Sequence, residues 1–117
     1  MTTLLVSRYG LFDVDIGRPS KWGNPFATRS SKFPCYAAAS VPEAVGCYAR
    51  WISSPLGDVL RQSLFELKDK RLACWCKLNQ LCHGQVLVAL VEGQSIDKFL
   101  KLVSQQRYEE ILAEGQR

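Results

Sequence analysis

Residues 71–85, RLACWCKLNQLCHGQ, constrain the fold more than any other part of this chain. Arg71–Cys76 is a short, nearly continuous apolar run of the kind a strand buried on both faces shows. His83–Glu92 then reads as a helix, with Gly93 placed to cap its C-terminus. A buried strand that feeds a helix needs neighbouring strands on its edges and helices on its faces, which points to an α/β sheet.

The remainder of the chain supplies those neighbours. Thr3–Ser7 and Asp13–Ile16 read as short strands separated by a turn at Tyr9–Gly10. From Gly17 to Ala39 no period is sustained and three prolines intervene, so this segment reads as a long loop, and loops of that length in compact domains tend to be functional. Ser40 and Glu43 form a capping box with Pro42 in the first turn, and Val41, Ala44, Val45, Tyr48 and Ile52 follow as a core face, with Trp51 packing nearby. After a break at Ser53-Ser54-Pro55, a second helix carries Leu56, Val59, Leu60, Leu64 and Leu67, and Lys68–Arg71 closes it with a polar turn. Ile96, Phe99, Leu100 and Val103 mark a last helix continuing through Ile111 and Leu112. The expected architecture is one α/β domain over residues 1–117, a small Rossmann-like two- or three-layer arrangement with a short central sheet and flanking helices.

With 117 residues, 47% of them apolar, such a domain buries a core without disulfides. No apolar segment approaches the roughly 20 residues needed to cross a bilayer, and no basic, apolar leader opens the chain, so a cytoplasmic protein with no membrane partner is expected. The five cysteines are odd in number and three lie within residues 74–82, which predicts reduced thiols. The net charge of +4 is uneven: Ile16–Phe33 holds Arg18, Lys21, Arg29 and Lys32 and no acidic residue.

In an α/β sheet, ligands bind where loops leave the carboxyl ends of strands. The Gly17–Phe26 loop and the Lys77–Cys82 loop both leave strands, so they can share one edge. The favoured reading is a site for a phosphate-bearing ligand, a nucleotide or NAD-like compound, between them. Arg18 would make a bidentate phosphate contact, Lys21 would act as a point charge, Trp22 as a stacking surface and Asn24 as a contact to base or ribose. Gly17, Ser20 and Gly23 shape that side of the site, and Trp22 and Asn24 have the alternative of plugging the loop onto the sheet. Opposite them stand Cys76 and the helix N-terminus at His83-Gly84, where Gly84 would let a phosphate approach the amides.

Two further readings involve the same residues. Cys74, Cys76, Cys82 and His83 make a Cys3His set suited to zinc, although alternate residues of a regular strand stand about 7 Å apart, wide for two ligands of one ion. Alternatively, Cys82 at a helix N-terminus, with His83 adjacent and Lys77 nearby, is a candidate catalytic nucleophile, and Asp13 and Asp15 are candidate general bases. On that reading Cys74 is buried and inert, and Cys76 and Cys82 lie at the mouth, with Cys82 the more readily alkylated. A nucleic-acid-binding protein stabilised by zinc and a surface inhibitor of a host factor are the remaining alternatives. A pI near 8.9 is low for the first of these, and a surface inhibitor needs no glycine-rich basic loop.

The two segments IGRPSKWGNPF (Ile16–Phe26) and LACWCKLNQLCHGQVL (Leu72–Leu87) resemble the signature segments of the domain-of-unknown-function 4326 family, small proteins of bacteria and their phages. The resemblance spans roughly Val14 to Val91 and implies an α/β fold without an established reaction. Leu78–Leu81 departs from it, being longer than the short proline-containing loop of that family. The strand followed by Cys-His at a helix start is also similar to a second uncharacterised family, numbered 488, which implies a Rossmann-like sheet by analogy.

Overall fold

The computed structural model describes residues 2–28, 34–76 and 79–116; Arg29, Lys32, Lys77 and Leu78, all weighed above, lie outside the described residues. The fold is α/β. Strand β1 (Leu4–Ser7), β5 (Arg71–Cys74) and β2 (Val14–Asp15) form a parallel sheet in the order β1-β5-β2. Arg71–Cys74 is therefore the central strand that its apolar run predicts, with Leu72, Ala73 and Cys74 buried. Leu5 and Val14 flank Leu72 in register, and Ser7 is level with Cys74. Strands this short let residues 8–13 return from the end of β1 to the start of β2 without an intervening helix.

Within the segment expected to be a plain loop, β3 (Phe26–Ala27) and β4 (Tyr36–Ala37) pair in parallel as a separate two-stranded sheet. Helix α1 (Val41–Ser53) begins as its capping box predicts: Ser40 Oγ accepts from Glu43 N, and Glu43 Oε1 accepts from Ala39 N. Val45, Tyr48 and Ile52 are buried along it, but Val41, expected in the core, is half exposed in the first turn. The second expected helix is broken. It runs as a 3-10 turn at Pro55–Gly57, a short α2 (Asp58–Gln62) and another 3-10 turn at Leu64–Leu67. That path turns Leu56 and Val59 to solvent and keeps Leu60 and Leu67 inside, so the helical spacing of the first two marks no core face.

Helix α3 (His83–Val91) packs on β1 and α1, and Gly93, with φ of 71°, takes the left-handed conformation that ends it. The single last helix expected is two, α4 (Asp97–Leu100) and α5 (Gln105–Glu114). Ser104 separates them, because its hydroxyl accepts from Arg107 N and starts α5 afresh. No helix among the described residues is long and apolar enough to cross a membrane.

Asp13 and Arg71 lock the start of the sheet. The Asp13 carboxylate accepts from Arg71 N at 2.8 Å and from the guanidinium at 3.1 Å through each oxygen. These bonds hold its pKa down to about 2. The ion pair therefore supports the fold above the ordinary carboxylate range and is lost as pH falls from about 4 through about 2. An NMR titration is expected to place the Asp13 midpoint near 2 in the native protein, and Arg71→Gln to return it towards about 3.9.

Candidate functional site

All three strands of the main sheet run in one direction, so Ser7, Asp15 and Cys74 end at one edge. The chain leaves that edge through Gly17 and Arg18 on one side and Trp75 and Cys76 on the other. Between them lies a cavity of about 360 Å³, within the usual size range of small-molecule pockets. Arg18, Asn24 and Thr28 supply polar atoms on one side, and Cys74, Cys76, Cys82 and His83 on the other. Phe26, Val41, Val45 and Leu81 contribute apolar lining. The convergence of the two unusual segments on one site, expected from the sequence, is thus present.

Strand β5 ends at Cys74, two residues short of the expected Cys76, and the chain bends at Trp75 and Cys76. The bend removes the strand geometry that would separate alternate cysteines by about 7 Å. Cys74 and Cys76 sulfurs are instead 3.7 Å apart, and Cys82 Sγ is 3.4 Å from Cys74 Sγ. His83 Nδ1 stands 3.9 Å from Cys74 Sγ and 3.7 Å from Cys82 Sγ. The donor atoms of Cys74, Cys82 and His83 lie within 4.8 Å of one another, a spacing one metal ion can bridge.

The imidazole is aimed by its other nitrogen. His83 Nε2 is 2.9 Å from the carbonyl of Ile16, and since a carbonyl only accepts, Nε2 carries the proton. Nδ1 of the neutral ring then presents a lone pair to the two sulfurs, the ligand-plus-carbonyl arrangement common to metal-binding histidines. Tyr48 packs edge-on against the ring at 5.0 Å between centroids.

Cys82 is the N-cap of α3, with its sulfur accepting from Gly84 N. It does not stand at the mouth: it is 3% exposed, whereas Cys76 is exposed. Hydrogen-bond contact with the Cys76 and Cys82 sulfurs pulls the Cys74 thiol below its ordinary range, and contact with Cys74 and Cys76 pushes Cys82 up. Cys82 is thus buried, where the expectation of a readily alkylated sulfur at the mouth needs an accessible one. The free thiol that solvent reaches is Cys76.

The loop residues divide. Arg18 Nε donates to the Asn24 carbonyl at 2.8 Å, and among the described residues its two terminal amino groups take no hydrogen-bond partner. Asn24 is committed to the fold, its Oδ1 accepting from Phe26 N and its Nδ2 donating to the Ala44 carbonyl. Trp22 is the plug and not the platform: it lies in the core at 3% exposure, and Tyr48 Oη donates to its carbonyl. Lys21 pairs with Glu66 at 2.7 Å and does not line the cavity. Ser20 has a buried hydroxyl without a partner among the described residues, and Gly23 backs onto Arg18.

Gly84 is small for packing. A Cβ there would stand 2.5 Å from Leu5 Cδ2 and 2.8 Å from Ile16 Cδ1, so the missing side chain lets α3 sit on the sheet. Its amide is occupied by Cys82, and Gly84 does not line the cavity, so the expected phosphate approach is not formed there. Asp15 is no free base either. Both its oxygens take Arg8, at 2.9 and 2.5 Å, and that pairing lowers its pKa.

Sequence reading assigned no site role to Trp75. It is 64% exposed, lines the cavity, and carries the Arg8 guanidinium over its ring at 3.9 Å. Its signal was a tryptophan between two cysteines at a strand end, ambiguous because a regular strand would turn it to one sheet face. Thr28 and the apolar lining residues carried no local signal.

Comparison with curated proteins and with solved structures finds no match. The family model described as domain of unknown function DUF4326 matches residues 7–93, a span that contains both loops and all four cluster residues. The chain accordingly belongs to the DUF4326 family.

Proposed function

We propose that this protein binds a phosphate-bearing small molecule of the nucleotide class in the cavity at the sheet edge, beside a zinc centre made by Cys74, Cys76, Cys82 and His83. The observation that carries the reading is the facing, across one cavity, of a thiol–imidazole cluster and a guanidinium whose amino groups take no partner among the described residues. Two sulfurs on a tetrahedral zinc, each at roughly 2.3 Å from the metal, stand about 3.8 Å apart, and the spacings among Cys74, Cys82 and His83, and from Cys74 to Cys76, are 3.4–3.9 Å. Three thiols and a neutral imidazole with a carbonyl behind it are soft and borderline donors that suit zinc over magnesium or calcium. The apolar wall of Phe26, Val45 and Leu81 suits a base or sugar, and Arg18 suits the phosphate.

Native mass spectrometry of freshly purified protein is expected to show one zinc per chain. Thermal-shift screening against nucleotides, dinucleotides and cyclic nucleotides is expected to find stabilisation that Arg18→Ala weakens by about one to two decades in affinity, the worth of a charge-assisted contact. The dependence on salt should be shallow, as for one or two phosphates. Tight, steeply salt-dependent binding to oligonucleotides with no response to mononucleotides would replace this reading with nucleic-acid binding.

A further inference from the structure

We propose that Cys76 is an exchangeable ligand, and that the phosphate-bearing molecule binds by displacing it and placing an anionic oxygen on the metal, with Arg18 as its second contact. The inference rests on the zinc reading above and adds to it how the pocket and the metal are connected.

The four candidate ligands are not held alike. Cys74 is buried at the end of the central strand, and Ile16 N donates to the carbonyl of its neighbour Ala73 at 2.8 Å. Cys82 is buried and fixed by its own helix cap. His83 is buried and fixed by the Ile16 carbonyl. Each of these three is therefore positioned by backbone that belongs to the sheet or to α3. Cys76 has no such anchor among the described residues: it is exposed, it lies beyond the strand end, and its thiol meets the sulfurs of Cys74 and Cys82. Cys76 and Arg18 line the same cavity as these three, so an ion held by Cys74, Cys82 and His83 would have both beside it.

Structural zinc sites close with four protein ligands, and reactive ones keep three and leave one position for water or substrate. Here three buried ligands and one exposed one combine the two patterns. The exchange transfers no electrons: the metal–sulfur bond to Cys76 breaks, a metal–oxygen bond to the phosphate forms, and the released thiolate takes a proton from solvent. Arg18 then neutralises the remaining phosphate charge.

The test uses cobalt(II) in place of zinc, because sulfur-to-cobalt charge-transfer absorption counts bound thiolates. Wild type, Cys76→Ser and Arg18→Ala are loaded with cobalt and titrated with AMP, pyrophosphate and inorganic phosphate, and binding is followed in parallel by thermal shift. Wild type is expected to start with three thiolates and to lose about one third of the charge-transfer intensity at saturation. Cys76→Ser is expected to hold cobalt with two thiolates, to keep that intensity through the titration, and to bind the phosphate compound roughly tenfold more tightly because no thiolate competes. Arg18→Ala should hold cobalt as wild type does and lose most of the response. An unchanged three-thiolate spectrum across all probes overturns the proposal, as does a folded Cys76→Ser protein that takes up no cobalt. Failure of wild type to take up cobalt at all overturns the zinc reading as well, which separates the two.

Discussion

On the proposed zinc centre, a strong chelator is expected to lower the Tm by roughly 10–20 °C, and His83→Ala to reproduce that loss without chelator. A ligand present at about a thousand times its Kd stabilises by about 4 kcal/mol, and for a domain of this size each kcal/mol corresponds to roughly 3–5 °C. Structural zinc commonly binds more tightly than this requires. The domain also has its own core, with Tyr48, Ile52, Leu72, Val86 and Leu87 all fully buried, so loss of the ion should weaken the fold rather than abolish it. Cys74 and Cys82 come from β5 and from the cap of α3, so the ion would tie the central strand to the helix that covers the sheet. Differential scanning calorimetry with and without chelator checks the shift. An unchanged Tm together with an absence of metal in the native mass spectrum would leave the cluster as three packed thiols and a histidine.

Leu72→Ala is expected to cost about 2–5 kcal/mol, read as a fall in urea midpoint at constant slope. Leu72 has no exposed surface, sits between Leu5 and Val14 in the middle of the sheet, and joins the larger core cluster with Ile16, Leu87 and Ile52. Removing it leaves a cavity under β5 two residues before Cys74. Val59→Ala, at a position that helical spacing assigned to the core, should change the midpoint hardly at all, because Val59 is 74% exposed. Equal losses for the two variants would contradict the path of the broken second helix.

That pair of residues shows where sequence reading reached its limit. Both are apolar and both match a pattern. Leu72 lies in a continuous run, and a strand apolar on both faces has no place except the middle of a sheet. Val59 depended on one helix staying regular through Ser63, where the chain passes instead into a 3-10 turn and the phase is lost. The same distinction separates the single expected C-terminal helix from the two observed, since Ser104 resets the helix without altering the apolar spacing.

In the candidate site, the membership of the cluster was legible because Cys74, Cys76, Cys82 and His83 are close along the chain, and the facing of two loops followed from parallel strands ending at one edge. Its geometry was not legible. The strand stops at Cys74, and only the bend beyond it brings sulfurs together that a regular strand would hold apart. The tautomer and aim of His83 depend on the carbonyl of Ile16, 67 residues away. Which tryptophan faces the cavity was likewise a tertiary outcome: Tyr48 and the core hold Trp22 inside, and the bend leaves Trp75 at its edge.

By itself, then, the sequence determined the α/β class, the central place of β5, the capping box at Ser40, the left-handed stop at Gly93 and the residues from which a metal centre could be built. These are local matters, in which period, cap and turn chemistry act over a few residues of the same chain. Only the tertiary structure decided that Cys76 and not Cys82 meets solvent, that Arg18 and not Lys21 faces the cavity, and that Gly84 serves helix packing. Those outcomes rest on contacts between distant segments, where Glu66 takes Lys21 and Leu5 fills the space beside Gly84, and no local pattern encodes which distant partner arrives.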